Sequence, residues 1–402
     1  MSQIMLTYSH MQALERLCDD ALALHVGIPN PTICRGIQEE LLQLTLETER
    51  RLTHLREEAH RCRKGLSAAP RKTKEEAAHL KTALSSVHHD MESNKNFLAV
   101  LKIVGDTIAF AVLDTWDIKP LSFKEGPGYL SGKEGLALEL DAFRICFDTG
   151  GIAILNDLTT CLRHGDVTFV HPQSGRFALF EAKSSTRISA RGARQKEAAE
   201  RVMSWLATDR AKDLYDLSGT FVRGGTHAPP RYNDSLMRRL VKDALTHGTA
   251  VASPENGLTY VATTTDFSEE LARSSIQACR GKPIIAPLSA SSRWPEGHRP
   301  VSLLLGSGKS LIEFQSGGLI LVVVVDSHVL LSGYESRGLA VKFSMDDERP
   351  VQLTHPLVDG VAPSVSIGEH VFKRLFTEAL SLQWFLEETS ILPIPPQDIL
   401  SC

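Results

Sequence analysis

The chain has 402 residues, 42% of them hydrophobic, and a formal net charge of −4. That length allows two or three domains with sizeable cores, and the mild acidity excludes a globally basic nucleic-acid binder, so any such site must be a local patch. The seven cysteines are scattered, without C-x-x-C pairs or Cys/His clusters at zinc spacing, which excludes a zinc module and fits free thiols in a reducing cytoplasm. No basic segment followed by an apolar core opens the chain, so no secretory signal is expected. The apolar run 319–325 is too short to span a bilayer and reads as a buried strand; no membrane partner is expected.

Residues 1–93 read as a helical arm. A first helix carries Met11, Leu14, Leu17, Ala21 and Leu24 and stops near Pro29 and Pro31. A second covers 37–66, with apolar residues at steps of three and four. A third begins near Lys72 with Ala77, Leu80, Leu84, Val87, Met91, Leu98 and Leu101 on a heptad seam that only Asn94 interrupts. The last two form an antiparallel coiled-coil hairpin, either a structural arm or a surface for a homo-oligomer or a partner protein. His88 and His89 fit a solvated helix face better than a metal site.

The third helix continues to Leu113. After a Gly/Pro loop, a helix from Ser131 to about Phe147 turns Leu136, Leu140, Phe143 and Phe147 inward. Glu139 lies about 70° from the centre of that face, while Glu134 and Asp141 point away. Residues 152–155 form the first core strand. Asp157 follows it as a second-ranked rival to Asp166 for a metal, although an Asx-turn explains it, and His164, a candidate general base or substrate contact, stands beside a loop where a lone histidine is more often neither.

Residues 166–170 and 177–183 then form a hairpin, bounded by Gly, Pro and Ser. Its register can bring Asp166 close to Glu181. Glu181 and Lys183 share a face with Phe177 and Leu179. Charge at the end of an apolar strand is costly unless it is paired or bound to metal. Two carboxylates suit a hard divalent cation, and an adjacent lysine suits a phosphate. The next helix carries the stripe Ala198, Ala199, Val202 and Leu206. Gln195 heads that stripe, and Arg187, Arg191, Arg194 and Lys196 form a basic patch suited to nucleic-acid phosphates.

Asp166, a turn, and Glu181-Ala182-Lys183 resemble the core signature of the PD-(D/E)XK nuclease superfamily, with Gly165 where a proline often stands. The resemblance is specific over 131–206. It implies a restriction-endonuclease-like α/β core with a mixed sheet over 94–265, between the arm and a C-terminal, strand-rich mixed α+β region, 266–402, that ends in a helix. It implies a Mg²⁺- or Mn²⁺-dependent endonuclease acting on DNA. Asp166, Glu181 and the Ala182 carbonyl would hold the metal, Lys183 would act on the attacking water, and Glu139 and Gln195 would complete the site. By analogy it suggests bacterial restriction or anti-phage defence. RNA as substrate, or a catalytically silent nuclease fold acting through its arm, are the alternatives.

Beyond 206, residues 236–245 read as a basic amphipathic helix, and 249–252 and 258–264 as strands. Residues 301–305, 310–314, 319–325, 329–331 and 339–343 also read as strands, and 371–388 as one helix. Gly306-Ser307-Gly308-Lys309-Ser310 lacks the glycine that a phosphate-binding loop needs at Leu303, so it reads as a hairpin turn.

Overall fold

The computed structural model describes residues 8–68, 73–122, 129–171, 177–182, 190–212, 220–222, 226–265, 268–289, 294–295, 297–344, 348–357 and 362–391, with backbone alone at 8, 190–196 and 220–222. These residues form 13 helices and a set of antiparallel sheets. The chain divides into two compact units, residues 1–200 with 307–309, and residues 201–306 with 310–402. No helix among the described residues is long and apolar enough to cross a membrane.

The first unit begins with α1 (Tyr8–Val26), α2 (Pro31–Ser67) and α3 (Lys74–Val112). Asn30 caps α2 by accepting the N–H groups of Thr32 and Ile33 at 2.9 and 3.3 Å, and Pro31 supplies a first turn that needs no donor. Thr73 and Glu76 form a reciprocal capping box at the start of α3. Leu55 and Ala59 of α2 meet Leu84, Val87 and Met91 of α3, which is the expected helical hairpin. α1 packs against both, making a three-helix group. His88 and His89 are exposed, with His88 beside Arg63.

After α4 (Thr115–Leu121) and α5 (Leu136–Asp148) come β1 (Ile152–Leu155), a 3₁₀ turn (Asn156–Leu158), β2 (Val167–Val170) and β3 (Phe177–Phe180). The strands make an antiparallel meander in which Leu155 faces Val167 and Val167 faces Phe180. All four β1 residues are buried, with α5 packed on β1 and β2, and α2 and α3 packed on β1. The helices of the expected arm therefore also build the core around the sheet.

The outer edge of β1 is closed by one side chain. Gln38 of α2 donates from Nε2 to the Ala153 carbonyl at 2.7 Å and accepts the Leu155 N–H at Oε1 at 2.9 Å. Its amide does what a neighbouring strand would do, so the edge is not left open.

The first unit ends within α6 (Ala190–Thr208), on which Val202 is buried. A mixed sheet would require α6 to return a parallel strand beside β3. Instead β4 (Arg210–Lys212) pairs with β5 (Thr220–Val222) as an antiparallel ribbon, and every described ladder is antiparallel.

The second unit continues with α7 (Asp234–His247), β6 (Thr249–Glu255), β7 (Leu258–Thr263), α8 (Glu269–Ile276), β8 (Pro283–Leu288), α9 (Ser302–Leu305), α10 (Gly308–Gln315) and β9 (Ile320–Asp326). Its main sheet has the order β6-β7-β9-β8, with β9 buried in the middle as expected for 319–325. The sheet thus joins strands from both sides of position 266. α11 (Ser327–Glu335), β10 (Ala340–Phe343), β11 (Val351–Thr354), β12 (Ser364–Ile367), α12 (Glu369–Thr377) and α13 (Leu382–Thr389) follow.

Three segments expected as strands are helical: 301–305 lies in α9 and the residue before it, 310–314 in α10, and 329–331 in α11. Short apolar runs do not distinguish the two states, and here the caps decide. Gly306, at φ +74°, ends α9, and the Asp326 side chain opens α11 by accepting the His328 N–H at 2.9 Å. The 306–310 segment accordingly joins two helices and is not a hairpin turn. Leu303 is buried within α9, so the strand and glycine of a phosphate-binding loop are both absent there. The helix expected over 371–388 breaks at Ala379, which has φ +48°, and Ser381 caps α13.

Gln38→Ala should lower unfolding stability by about 2–4 kcal/mol, because it strips partners from two buried backbone groups; denaturant titration measures it. A second test concerns acid. Burial would raise the pKa of Asp326, but N–H bonds from Arg280, His328 and Gly281 hold its carboxyl below the usual range. A depressed folded value gives stability above the ordinary aspartate range that is lost as pH falls through that folded value. Asp326→Asn should therefore be less stable than wild type at pH 7, with the difference shrinking in acid, as read from melting temperatures across pH.

Candidate active site

Three acidic side chains converge on one ammonium. Lys133 Nζ lies 2.7 Å from Glu139 Oε1, 2.7 Å from Asp157 Oδ2 and 3.2 Å from Asp166 Oδ1. A lysine has three N–H donors, so the three carboxylates can satisfy it fully. Burial alone would lower the Lys133 pKa, but the bonds to Asp157 and Glu139 raise it above the ordinary value, so the group stays charged. Burial raises the Glu139 carboxyl above its usual value, opposed by Lys133.

Each member is placed by a separate element. Glu139 is buried on α5 in line with Phe143 and Cys146, so it lies on the inner face itself and not at its margin. Lys133 sits in the loop before α5, which α2 positions. Glu49 accepts the Ser131 N–H at 2.6 Å, and Arg56 donates to the Tyr129 hydroxyl at 2.6 Å while its guanidinium stacks 4.8 Å from that ring.

Asp157 stands in the 3₁₀ turn. Its carboxylate makes no Asx-type cap and instead joins the ion cluster, so the expectation of a turn role is corrected. α3 grips this turn from behind. Lys102 donates to the Asp157 carbonyl. Asp106 accepts from the N–H groups of Thr160 and Cys161, at 2.6 and 3.0 Å, and from the Thr160 hydroxyl. Between them, a Cβ on Gly105 would lie 2.0 Å from the Leu158 carbonyl oxygen. Burial pushes the Asp106 carboxyl up despite its donors.

Asp166 occupies the corner before β2. Gly165 turns there at φ +73°, a conformation closed to proline, whose ring fixes φ near −65°. Asn156 braces the corner by donating to the carbonyls of His164 and Gly165 at 2.8 and 3.2 Å and accepting the Thr168 hydroxyl at 2.7 Å.

The β2–β3 ladder ends at Val167 opposite Phe180. Beyond it the pairing shifts by one residue, because the Asp166 N–H donates to the Phe180 carbonyl at 2.7 Å, and Asp166 Oδ2 accepts the Ala182 N–H at 2.8 Å. Glu181 is exposed. His164 is buried behind this corner.

Lys183 and Arg187 lie outside the described residues. Gln195, Arg191, Arg194 and Lys196 lie on α6, in the stretch described by backbone alone. Lys133 is the residue that sequence reasoning missed. Its only signal was a lysine in a tight Gly-Lys-Glu-Gly loop six residues before Glu139.

Carboxylates are the oxygen donors that Mg²⁺ or Mn²⁺ prefers, at about 2.0–2.1 Å for Mg²⁺ in near-octahedral order. The donor chemistry therefore fits. The spacing does not, because the oxygens point at an ammonium. Among the described residues no group of three or more His, Cys, Asp or Glu side chains is placed to hold a metal ion. The six described cysteines are free, five of them buried.

No family model matches the chain, and neither a curated protein nor a solved structure does.

Gly105→Ala should destabilise the protein by about 1–3 kcal/mol through overpacking against Leu158, although alanine favours helix by about 1 kcal/mol. Chemical denaturation checks this. A neutral or stabilising effect would mean that α3 does not grip the turn.

Proposed function

We propose that the chain is a divalent-metal-dependent nuclease that hydrolyses phosphodiester bonds in DNA, with its site at Asp166, Glu181 and Lys183. The observation that carries this reading is the gathering of Glu139, Asp157 and Asp166 on one ammonium, with Asp166 Oδ2 also bonded to the Ala182 N–H beside Glu181. Three acids from three segments meet at the end of a small sheet, and such gatherings of titratable groups are what functional sites use.

In this reading Asp166, Glu181 and Asp157 offer oxygens to Mg²⁺ or Mn²⁺, with the Ala182 carbonyl as a further donor. Such a cation, when bound, supplies Lewis acidity toward the phosphodiester. By the sequence resemblance, Lys183 would act on the attacking water and offset charge on the phosphate. Glu139 positions the cluster from α5. By the same resemblance Gln195 would complete the site, and the basic residues Arg187, Arg191, Arg194 and Lys196 would offer charge to the nucleic-acid phosphates. RNA is an equal substrate for a site that reads only phosphate, and the three-helix group is where a second copy or a partner protein would dock. A place in bacterial restriction or anti-phage defence rests on analogy alone.

One observation favours a second reading. Lys133 already bonds all three acids, as in a structural ion cluster, so the chain can also be read as a silent nuclease fold that acts by interaction.

Purified protein incubated with plasmid DNA, linear DNA and RNA, with Mg²⁺, Mn²⁺ or EDTA, separates the two. Metal-dependent cleavage should fall about a hundredfold or more in Asp166→Ala and Lys183→Ala. Wild-type rates in both variants would remove these residues from the chemistry, and absence of cleavage in every condition would favour the silent fold.

A further inference from the structure

The second unit holds an open apolar groove of about 220 Å³. Its walls are the edge strand β8 and the helix α12, with Ile285, Pro287, Trp294, Pro350, Phe372 and Phe376 along it. Pockets for whole small molecules are larger, roughly 300–1,000 Å³. This space fits a few residues of an extended chain.

The groove is firmly built and largely aromatic. Phe372 packs edge-on against Phe343, Phe376 and Phe385, with ring centroids 5.8, 5.4 and 6.1 Å away. The indole N–H of Trp294 donates to the Arg299 carbonyl at 2.8 Å, which fixes that ring. Ile285 remains 44% exposed on the open side.

β8 pairs with β9 and is the last strand of its sheet. Pro283 and Pro287 have no N–H groups, which blunts that edge against a further strand. The groove therefore suits a ligand that brings apolar rings and needs no strand ladder. Polyproline II segments have no internal hydrogen bonds and dock on aromatic-lined grooves.

Residues 392–400, Leu-Pro-Ile-Pro-Pro-Gln-Asp-Ile-Leu, follow α13 and carry such a sequence. At three residues per turn, Pro393, Pro396 and Ile399 would share one face. We propose that this segment docks in the groove between β8 and α12 as a polyproline II helix. The inference concerns the second unit alone and goes beyond the nuclease reading.

The connection is short enough. Phe385 of α13 packs on Phe372 of the groove. Ile391 follows Phe385 by about 9 Å at the helical rise. Residues 392–400 reach about 28 Å as polyproline II, enough to return to β8 and α12. A tether of this kind supplies an effective concentration of about millimolar, so even a weak contact is filled from within the chain.

The test uses the full chain with a photo-reactive benzoylphenylalanine in place of Ile285, an exposed position on the edge strand. Irradiation and peptide mass spectrometry should join position 285 to residues 392–400 of the same chain. The yield should fall about fivefold or more when Pro393→Ala and Pro396→Ala are combined, and also when excess synthetic peptide of residues 390–402 is added. A cross-linked dimer would assign the groove to a second copy. Either that result, or the absence of any product with 392–400, would overturn the proposal. A yield unchanged by the proline substitutions would overturn it as well.

A second readout leaves position 285 intact and covers a labelled protein that fails to fold. Amide hydrogen exchange across β8 and α12 should be slower in wild type than in the Pro393→Ala/Pro396→Ala variant. Equal exchange in the two proteins would show that the segment does not cover the groove and would overturn the proposal.

Discussion

The acidic site depends on a contact in which only a hydrogen atom fits. Gly105 lets α3 press its backbone onto the carbonyl of Leu158, and Lys102 and Asp106, on either side of it in sequence, bond the turn they press against. That grip fixes the 3₁₀ turn. The turn fixes Asn156, and Asn156 fixes the Gly165–Asp166 corner through three hydrogen bonds. The position of Asp166 is therefore inherited from a helix some sixty residues earlier. Because that helix also forms the expected arm, arm and site are one mechanical object in the first unit. A side chain in such a corner can be held without freezing the loop that carries its counter-cation, since Lys133 is tethered from α2 instead.

The parts of the site legible in the sequence were those that obey a local period. The hairpin read from alternation, and its ladder runs to Val167 opposite Phe180, one residue short of the expected Asp166–Glu181 approach. Helical spacing turned Glu139 inward, and the structure puts it closer to the centre of the buried face than the apolar residues alone suggested. The same logic could not find Lys133, which sits in a loop with no period and acts through contacts with three distant segments. Nor could it find Gln38. Inside α2, its place on the buried face looks like a polar interruption of an apolar stripe, and its purpose appears only when β1 lies alongside. Gln195 drew notice for that same pattern; Gln38 shows what a glutamine on a buried face can do, pairing both polar groups of a peptide edge at once.

In the second unit, sequence reasoning failed where apolar runs were short. Helix and strand are equally compatible with four or five consecutive hydrophobic residues, and capping groups such as Gly306 and Asp326 decided the outcome. Residue 266 did not separate two folding units for a related reason. Strand pairing is non-local, and nothing in residues 258–263 announces that their partner is 320–325.

The second unit also supplies the comparison by which the first should be judged. It holds its own buried ionic cluster. Arg299 grips Asp234 with two bonds, at 3.1 and 2.7 Å, and stacks 3.7 Å from the Tyr232 ring. Arg374 pairs with the fully buried Glu378, which also accepts the Arg299 backbone N–H. Two cations meet two carboxylates, with both guanidinium groups and Glu378 buried. That is how a cluster looks when its task is to hold elements together, because an uncompensated buried charge would cost several kcal/mol. The cluster in the first unit is not balanced in this way. One ammonium faces three carboxylates, and Lys133 is partly open to water. Such an excess of carboxylates over the ammonium that bonds them is retained at a cost to stability. Charge balance ties elements together in the second unit, whereas in the first the same kind of contact leaves negative charge only partly offset.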